Sequence, residues 1–175
     1  MPWRNVVCSG RLESQHGFND FISLADQAYL HKPRMLKFRR DGITLLIFNN
    51  LKFRTMGGQG LDHQIIVQQH KNVLHRVVAM FPWSCDIVSM DISTMTLAFQ
   101  IPYFINFHYL PEEHYYVDTE MFPAAKLLHT GRCHVNVFAT GHIVATGVKS
   151  YSHAMSLIDK LVVSLTPNCL TAKEI

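Results

Sequence analysis

The chain has 175 residues, 48% of them hydrophobic and 17% charged, with a formal net charge of +3. That size and composition suffice for one compact unit or two small fused halves and exclude long disorder. The cysteines Cys8, Cys85, Cys133 and Cys169 form no C-x-x-C pair, which argues against zinc ribbons and a disulfide scaffold and fits a reducing intracellular setting, while the chain lacks a signal-peptide run and any apolar stretch near the ~20 residues that span a bilayer.

In chain order, residues 3–12 read as a strand. Residues 18–29 place Phe18, Phe21, Ile22, Ala25, Ala28 and Tyr29 at helical spacing, and Pro33 ends that stretch. Strand alternation follows over 34–40, 43–49 and 51–56, with turns at Asp41-Gly42 and Asn49-Asn50. After Gly57, Gly58 and Gly60 comes a long amphipathic helix over 61–78. The order then recurs. A strand lies near 87–101 and an irregular aromatic segment over 102–116. A strand opens at Phe122-Pro123, strands lie near 132–139 and 141–147, and a helix spans about 150–165.

The recurrence is visible in the letters. Residues 45–57 read LLIFNNLKFRTMG and residues 135–147 read VNVFATGHIVATG, with Phe48 and Phe138, and Gly57 and Gly147, each 90 apart. Two equivalent halves follow, 1–80 and 81–175, joined into one continuous sheet, and such a molecule suits a nearly two-fold ligand such as a DNA duplex. Residues 1–80 carry 11 Lys and Arg against 5 Asp and Glu, and residues 81–175 carry 5 against 8. Either this is ordinary surface variation, or the first half favours phosphate and the second a basic protein partner.

Alternation assigns faces. Cys133, Val135, Val137, Ile143 and Ala145 fall on one side and pack under the helices; His134, Asn136, Phe138, Val144 and Thr146 fall on the other. An apolar outer face needs a cover, either a ligand or a second protein chain.

From Asn5 to Leu165 these residues resemble the TATA-box-binding protein (TBP) family. Glu120-Met121-Phe122-Pro123 matches the end of the family's acidic stirrup, and Phe138, Gly141, Val144, Thr146, Gly147 and Lys149 match its last hairpin. The resemblance implies an α+β, TBP-like saddle, with two pseudo-symmetric repeats forming one curved antiparallel sheet and helices on the convex side. It implies minor-groove binding and no enzymatic activity. Phe122 and Phe138 correspond to a pair of rings that pry apart a base step. Val144 and Thr146 lie where the family meets base edges, and Lys149 where it meets a phosphate. Asn5-Val6-Val7 resembles the start of the first strand, where Asn5 and Val7 would face the groove. Asp118 and Glu120 match the positions that receive a transcription factor IIB-like protein. Implied partners are A/T-rich double-stranded promoter DNA, that factor and the RNA polymerase machinery, with no membrane. The implied location is the nucleus, or the site of transcription of a virus.

The first repeat departs from the pattern. Phe48 matches a wedge, but its partner should lie within Lys32-Pro33-Arg34-Met35, where no Phe stands. Arg54 and Met56 replace Val and Thr, and Gln59 replaces Lys. The counterpart of Asn5 falls near Asp91 or Ser93. One half would then kink DNA while the other holds phosphates through Arg34, Lys37, Arg39, Lys52 and Arg54. The alternative is a TBP-fold adaptor in a preinitiation complex that has lost TATA-specific binding. A third reading, an enzyme, rests on the 11 histidines. His63, His70 and His75 are poorly spaced for one metal, and His108, Glu112, Glu113 and His114 form no H-E-x-x-H. No catalytic residue, metal or cofactor is expected.

Overall fold

The computed structural model describes residues 2–174. They fall into two compact units, one of Trp3–Ser93 and the other of the residues from Thr94 onward with Pro2.

The first unit contains β1 (Trp3–Glu13), α1 (Phe18–Phe21), β2 (Gln27–Tyr29), β3 (Met35–Arg40), β4 (Ile43–Phe48), β5 (Lys52–Gly60), α2 (His63–Ala79) and the first part of β6 (Asp86–Gln100). Its strands lie in the order β2-β3-β4-β5-β1-β6, and the β1–β5 meander is antiparallel. Leu36, Phe38, Leu45, Ile47 and Phe53 point from the strands into a core closed by Val73, Leu74 and Val77 of α2 and by Phe18 and Phe21. The Asp62 side chain starts α2 by accepting from the Gln64 N–H at 2.8 Å, which satisfies a donor the helix leaves open. Phe81 joins this core, and Trp83, Ile87 and Met90 pack against it. The division therefore falls within β6, beyond the boundary expected at residue 80.

The helix expected over 18–29 stops early. Only Phe18–Phe21 is α-helical, a 3-10 turn follows over Ile22–Leu24, and Gln27–Tyr29 pairs as β2 with β3. The burial explains why. Phe18 and Phe21 enter the core, whereas Ala28 and Tyr29 are exposed. Asp26 fastens the edge, accepting the Arg39 N–H at 2.7 Å and the Arg40 guanidinium at 2.6 Å, and this pairing lowers its carboxyl pKa.

The second unit holds the rest of β6, β7 (Tyr103–Ile105), β8 (Tyr115–Val117), β9 (Ala124–Leu127), β10 (His134–Phe138), β11 (His142–Val148), α3 (Tyr151–Ser164) and β12 (Leu170–Ala172). Its main strands run β6-β11-β10-β9-β8, the same plan as β1-β5-β4-β3-β2. The expected repeat is thus present in the topology of each unit, and the α+β class holds. The segment expected to be irregular, 102–116, stands where α1 stands in the first unit. It contains β7, a 3-10 turn at Phe107–Tyr109 and β8, and β7 is paired by the C-terminal β12. Ser150 caps α3 by accepting from the His153 N–H at 3.1 Å. Val135, Val137, Ile143, Ala145, Leu157 and Leu161 are buried, and the Tyr115 hydroxyl meets Ser164 Oγ at 2.6 Å.

His70 of α2 is wholly buried, with Nε2 3.2 Å from the Gly57 carbonyl and Nδ1 2.7 Å from Thr55 Oγ1. A carbonyl only accepts, so Nε2 carries the proton and Nδ1 accepts from the threonine hydroxyl. Burial lowers the His70 pKa, with the Gly57 bond opposing. The unfolded chain therefore binds this proton at higher pH than the folded one. The contribution of neutral His70 to stability is complete above about pH 6.5 and declines as pH falls, with a slope of at most about 1.4 kcal/mol per pH unit. Urea melts at about pH 7.5 and 5.5 are expected to show a smaller acid loss in His70→Gln than in the parent. Equal losses would remove His70 as the cause.

Candidate nucleic-acid interface

Each unit has a sheet face turned away from its buried helix-side residues. In the second unit that face carries Asn136, Phe138, Val144 and Thr146, all half-buried, with His134 and His142 exposed. Register sets Ala98, Val144, Asn136, Lys126 and Tyr116 in one line across the strands. His134 stands opposite Thr146. β9, β10 and β11 contain no acidic residue.

Two rings stand at the end of this face. Phe122 and Phe138 have centroids 6.1 Å apart at 59°, and Phe122 is 47% exposed. A separate turn fixes each. The Phe122 N–H donates to the Asp118 carbonyl at 2.9 Å, while the Asp118 carboxylate accepts the Met121 N–H at 3.2 Å and the Tyr116 hydroxyl at 3.3 Å. The Gly141 N–H donates to the Phe138 carbonyl at 2.8 Å and closes the β10–β11 hairpin. Asp118 thus shapes the turn, and Glu120 and Met121 project from it exposed. Lys149 is exposed just beyond β11, and its N–H donates to His153 Nδ1 at 3.3 Å.

The first unit's open face has other chemistry. Val7 stands opposite Met56, Ser9 opposite Arg54 and Arg11 opposite Lys52; beyond them Leu46 meets Lys37, Thr44 meets Arg39, and Phe48 meets Met35. Arg11, Phe48, Lys52 and Arg54 line one open cleft of about 720 Å³, with Asp91 as its acidic residue. Asn5 is not in the Val7 row. Its φ is 43°, and it lines a different depression with Arg4, Asp41 and Gln69 of α2. Arg34 is also elsewhere, donating to Asn19 Oδ1 at 2.9 Å with its guanidinium 5.2 Å from the Phe18 ring centre.

No protein-family model and no curated protein matches the chain. Among solved structures, the TBP of Methanococcus jannaschii superimposes with a TM-score of 0.71, covering 93% of this chain and 96% of that one at 21% identity. The fold is that of a TATA-box-binding protein.

On the TBP fold the registers of the two units can be compared strand by strand. Ser9 pairs with Arg54, and Ala98 pairs with Val144. Arg54 and Val144 are equivalent by the sequence repeat, so Ser9 answers to Ala98. Beyond that pair the register shifts between Ala145 and Val148 of β11. Of the sequence-selected residues, Phe122, Phe138, Val144 and Thr146 share one face and Val7, Phe48, Lys52 and Arg54 share the other. Lys126, Tyr116 and Arg11 were missed. Lys126 is the polar residue in the short run AAKL, and its alternation with buried Ala125 and Leu127 was the available signal.

Proposed function

We propose that this chain is a basal transcription initiation factor that binds duplex DNA through the minor groove and bends it. The observation that carries this reading is the Phe122–Phe138 ring pair at the edge of an acid-free strand face. Flat rings at a sheet end can enter a base step, and the kink lets the face behind them reach the groove floor. Val144, Ala98 and Thr146 are small, which suits A·T pairs; the guanine amino group would collide with them and lose its solvation. Lys149 and Lys126 supply phosphate contacts. The proposed target is A/T-rich promoter DNA. Glu120, exposed on the Asp118 turn, offers an acidic contact to a IIB-like protein that links the complex to the polymerase machinery, in the nucleus or where a virus transcribes.

Fluorescence anisotropy with A·T-rich and G·C-rich duplexes at one fixed salt concentration tests the reading, because phosphate contacts alone give salt-dependent binding to any duplex. The A·T-rich duplex is expected to bind at least about tenfold more tightly, since a mismatched pair at such a site costs about 1–3 kcal/mol. Failure to bind either duplex would favour the adaptor instead.

A further inference from the structure

We infer that the two units divide the labour on DNA: the first grips the sugar-phosphate backbone without opening the base stack, and the kink belongs to the second. This rests on the DNA-binding reading above. In the second unit Phe138 stands opposite Ala124, and Phe122 lies two residues before that alanine. In the first unit Phe48 stands opposite Met35, and the residue two before it is Pro33. A lone half-buried ring beside a methionine lacks the second plane of a wedge. The readout positions change as well. Val144, Asn136 and Ala98 are answered by Arg54, Leu46 and Ser9, so a long cation stands where a small apolar side chain stands in the other unit. Asn5, the amide that the family resemblance sets against base acceptors, lies in a separate depression beside α2.

What the first face has instead is charge. Arg11, Lys37, Arg39, Lys52 and Arg54 share it through the pairings of β1, β3, β4 and β5. Among the described residues none of these five forms an ion pair; Asp26 and Asp41 are taken by Arg40 and Arg76, and Asp91 is the single acid against Arg11, Lys52 and Arg54 in their cleft. Cations left unpaired on one face, on alternate strand positions about 6.6 Å apart, match a polyanion rather than a protein surface of mixed sign. Each phosphate neutralised on duplex DNA adds about 0.9 to the steepness of log K against log salt.

The test uses the full chain and one A·T-rich duplex. The variant Arg11→Ala/Lys52→Ala/Arg54→Ala changes exposed residues and is expected to lower the salt slope by about 2–3 while leaving the bend angle and the A·T preference as in the parent. 2-Aminopurine placed in turn at each step of the duplex is expected to brighten at one step only. Two separated unstacked steps, or an unchanged salt slope, would overturn the division. Should the triple variant fail to fold, Lys37→Gln/Arg39→Gln gives the same readout, with a slope change of about 1–2. A parent protein that neither bends nor prefers A·T would defeat the DNA reading instead, whatever the slope.

Discussion

Replacing Phe122 and Phe138 together by alanine is expected to abolish DNA bending and to reduce affinity for an A·T-rich duplex by about 10–100-fold, with the fold intact. The two effects differ because two terms oppose each other. A phenylalanine buries about 150–250 Å² on full burial, worth about 25 cal/mol per Å². Phe122 is 47% exposed in the free chain, so about half of that is still available for DNA. Phe138, half-buried, adds less. Together the rings offer on the order of 3–4 kcal/mol, against a few kcal/mol for unstacking the step they enter. The double variant loses the first term and is relieved of the second. Affinity therefore falls modestly, whereas the bend, which has no other cause, disappears. Within the free protein the pair contributes only about 0.5–1.5 kcal/mol, so melting should shift little. Energy transfer between dyes at the duplex ends measures the bend. A double variant that bends DNA like the parent would sink the wedge assignment. Because the rings act on one step as a unit, each single substitution is expected to lose most of the bend, and the losses will not add.

The rings were legible because two kinds of local signal coincide on them. A repeat with fixed glycine spacing marked the hairpin after Phe138, and strand parity placed Val144 and Thr146 on the same side. The long helices were legible from their periodicity and their caps, Asp62 and Ser150. What escaped was set by partners distant in sequence. Gln27–Tyr29 has helical spacing behind it, yet becomes an edge strand because Asp26 is held by Arg39 and Arg40. Leu170–Ala172 forms a strand only against β7, some 65 residues earlier, and no local pattern announces it. Asn5 reads as the first residue of a groove-facing row, but its φ of 43° breaks the alternation of β1, so that Trp3 and Val6 are both buried. Arg34 reads as a free cation and is instead laid over Phe18. For Gln27–Tyr29 and Arg34 a tertiary contact overrode the local pattern.

A substitution in the hairpin turn behind Phe138 should be the most damaging to the fold that presents the rings. Gly141→Ala is expected to destabilise the second unit by about 3–5 kcal/mol, a large share of the 5–15 kcal/mol typical of a domain. Gly141 has φ 79°, but backbone conformation alone does not explain so large an effect. The first unit holds Leu51 at the equivalent hairpin position, with φ 59° and the same closing bond, its N–H donating to the Phe48 carbonyl at 2.9 Å. A leucine is thus tolerated in that conformation. The difference is space. A Cβ on Gly141 would sit 2.2 Å from the Tyr103 carbonyl oxygen and 2.9 Å from that of Ile101, both of them backbone. Neither oxygen can swing aside as a side chain would, so β7 or the hairpin must move, and the Ile101 N–H to Gly141 carbonyl bond of 3.0 Å is strained with it. Gly131→Ala is the control. Its φ is 65° with nothing within 4 Å of the added Cβ, so only the conformational cost of about 1–2 kcal/mol should appear. Urea melts of the two variants separate the terms. The larger loss in Gly141→Ala measures the close approach of the carbonyls; equal losses would mean that the hairpin yields without cost. Because Gly141 closes the turn that fixes Phe138, whatever fraction of Gly141→Ala remains folded is also expected to bend DNA less than Gly131→Ala does, through displacement of one ring from the other.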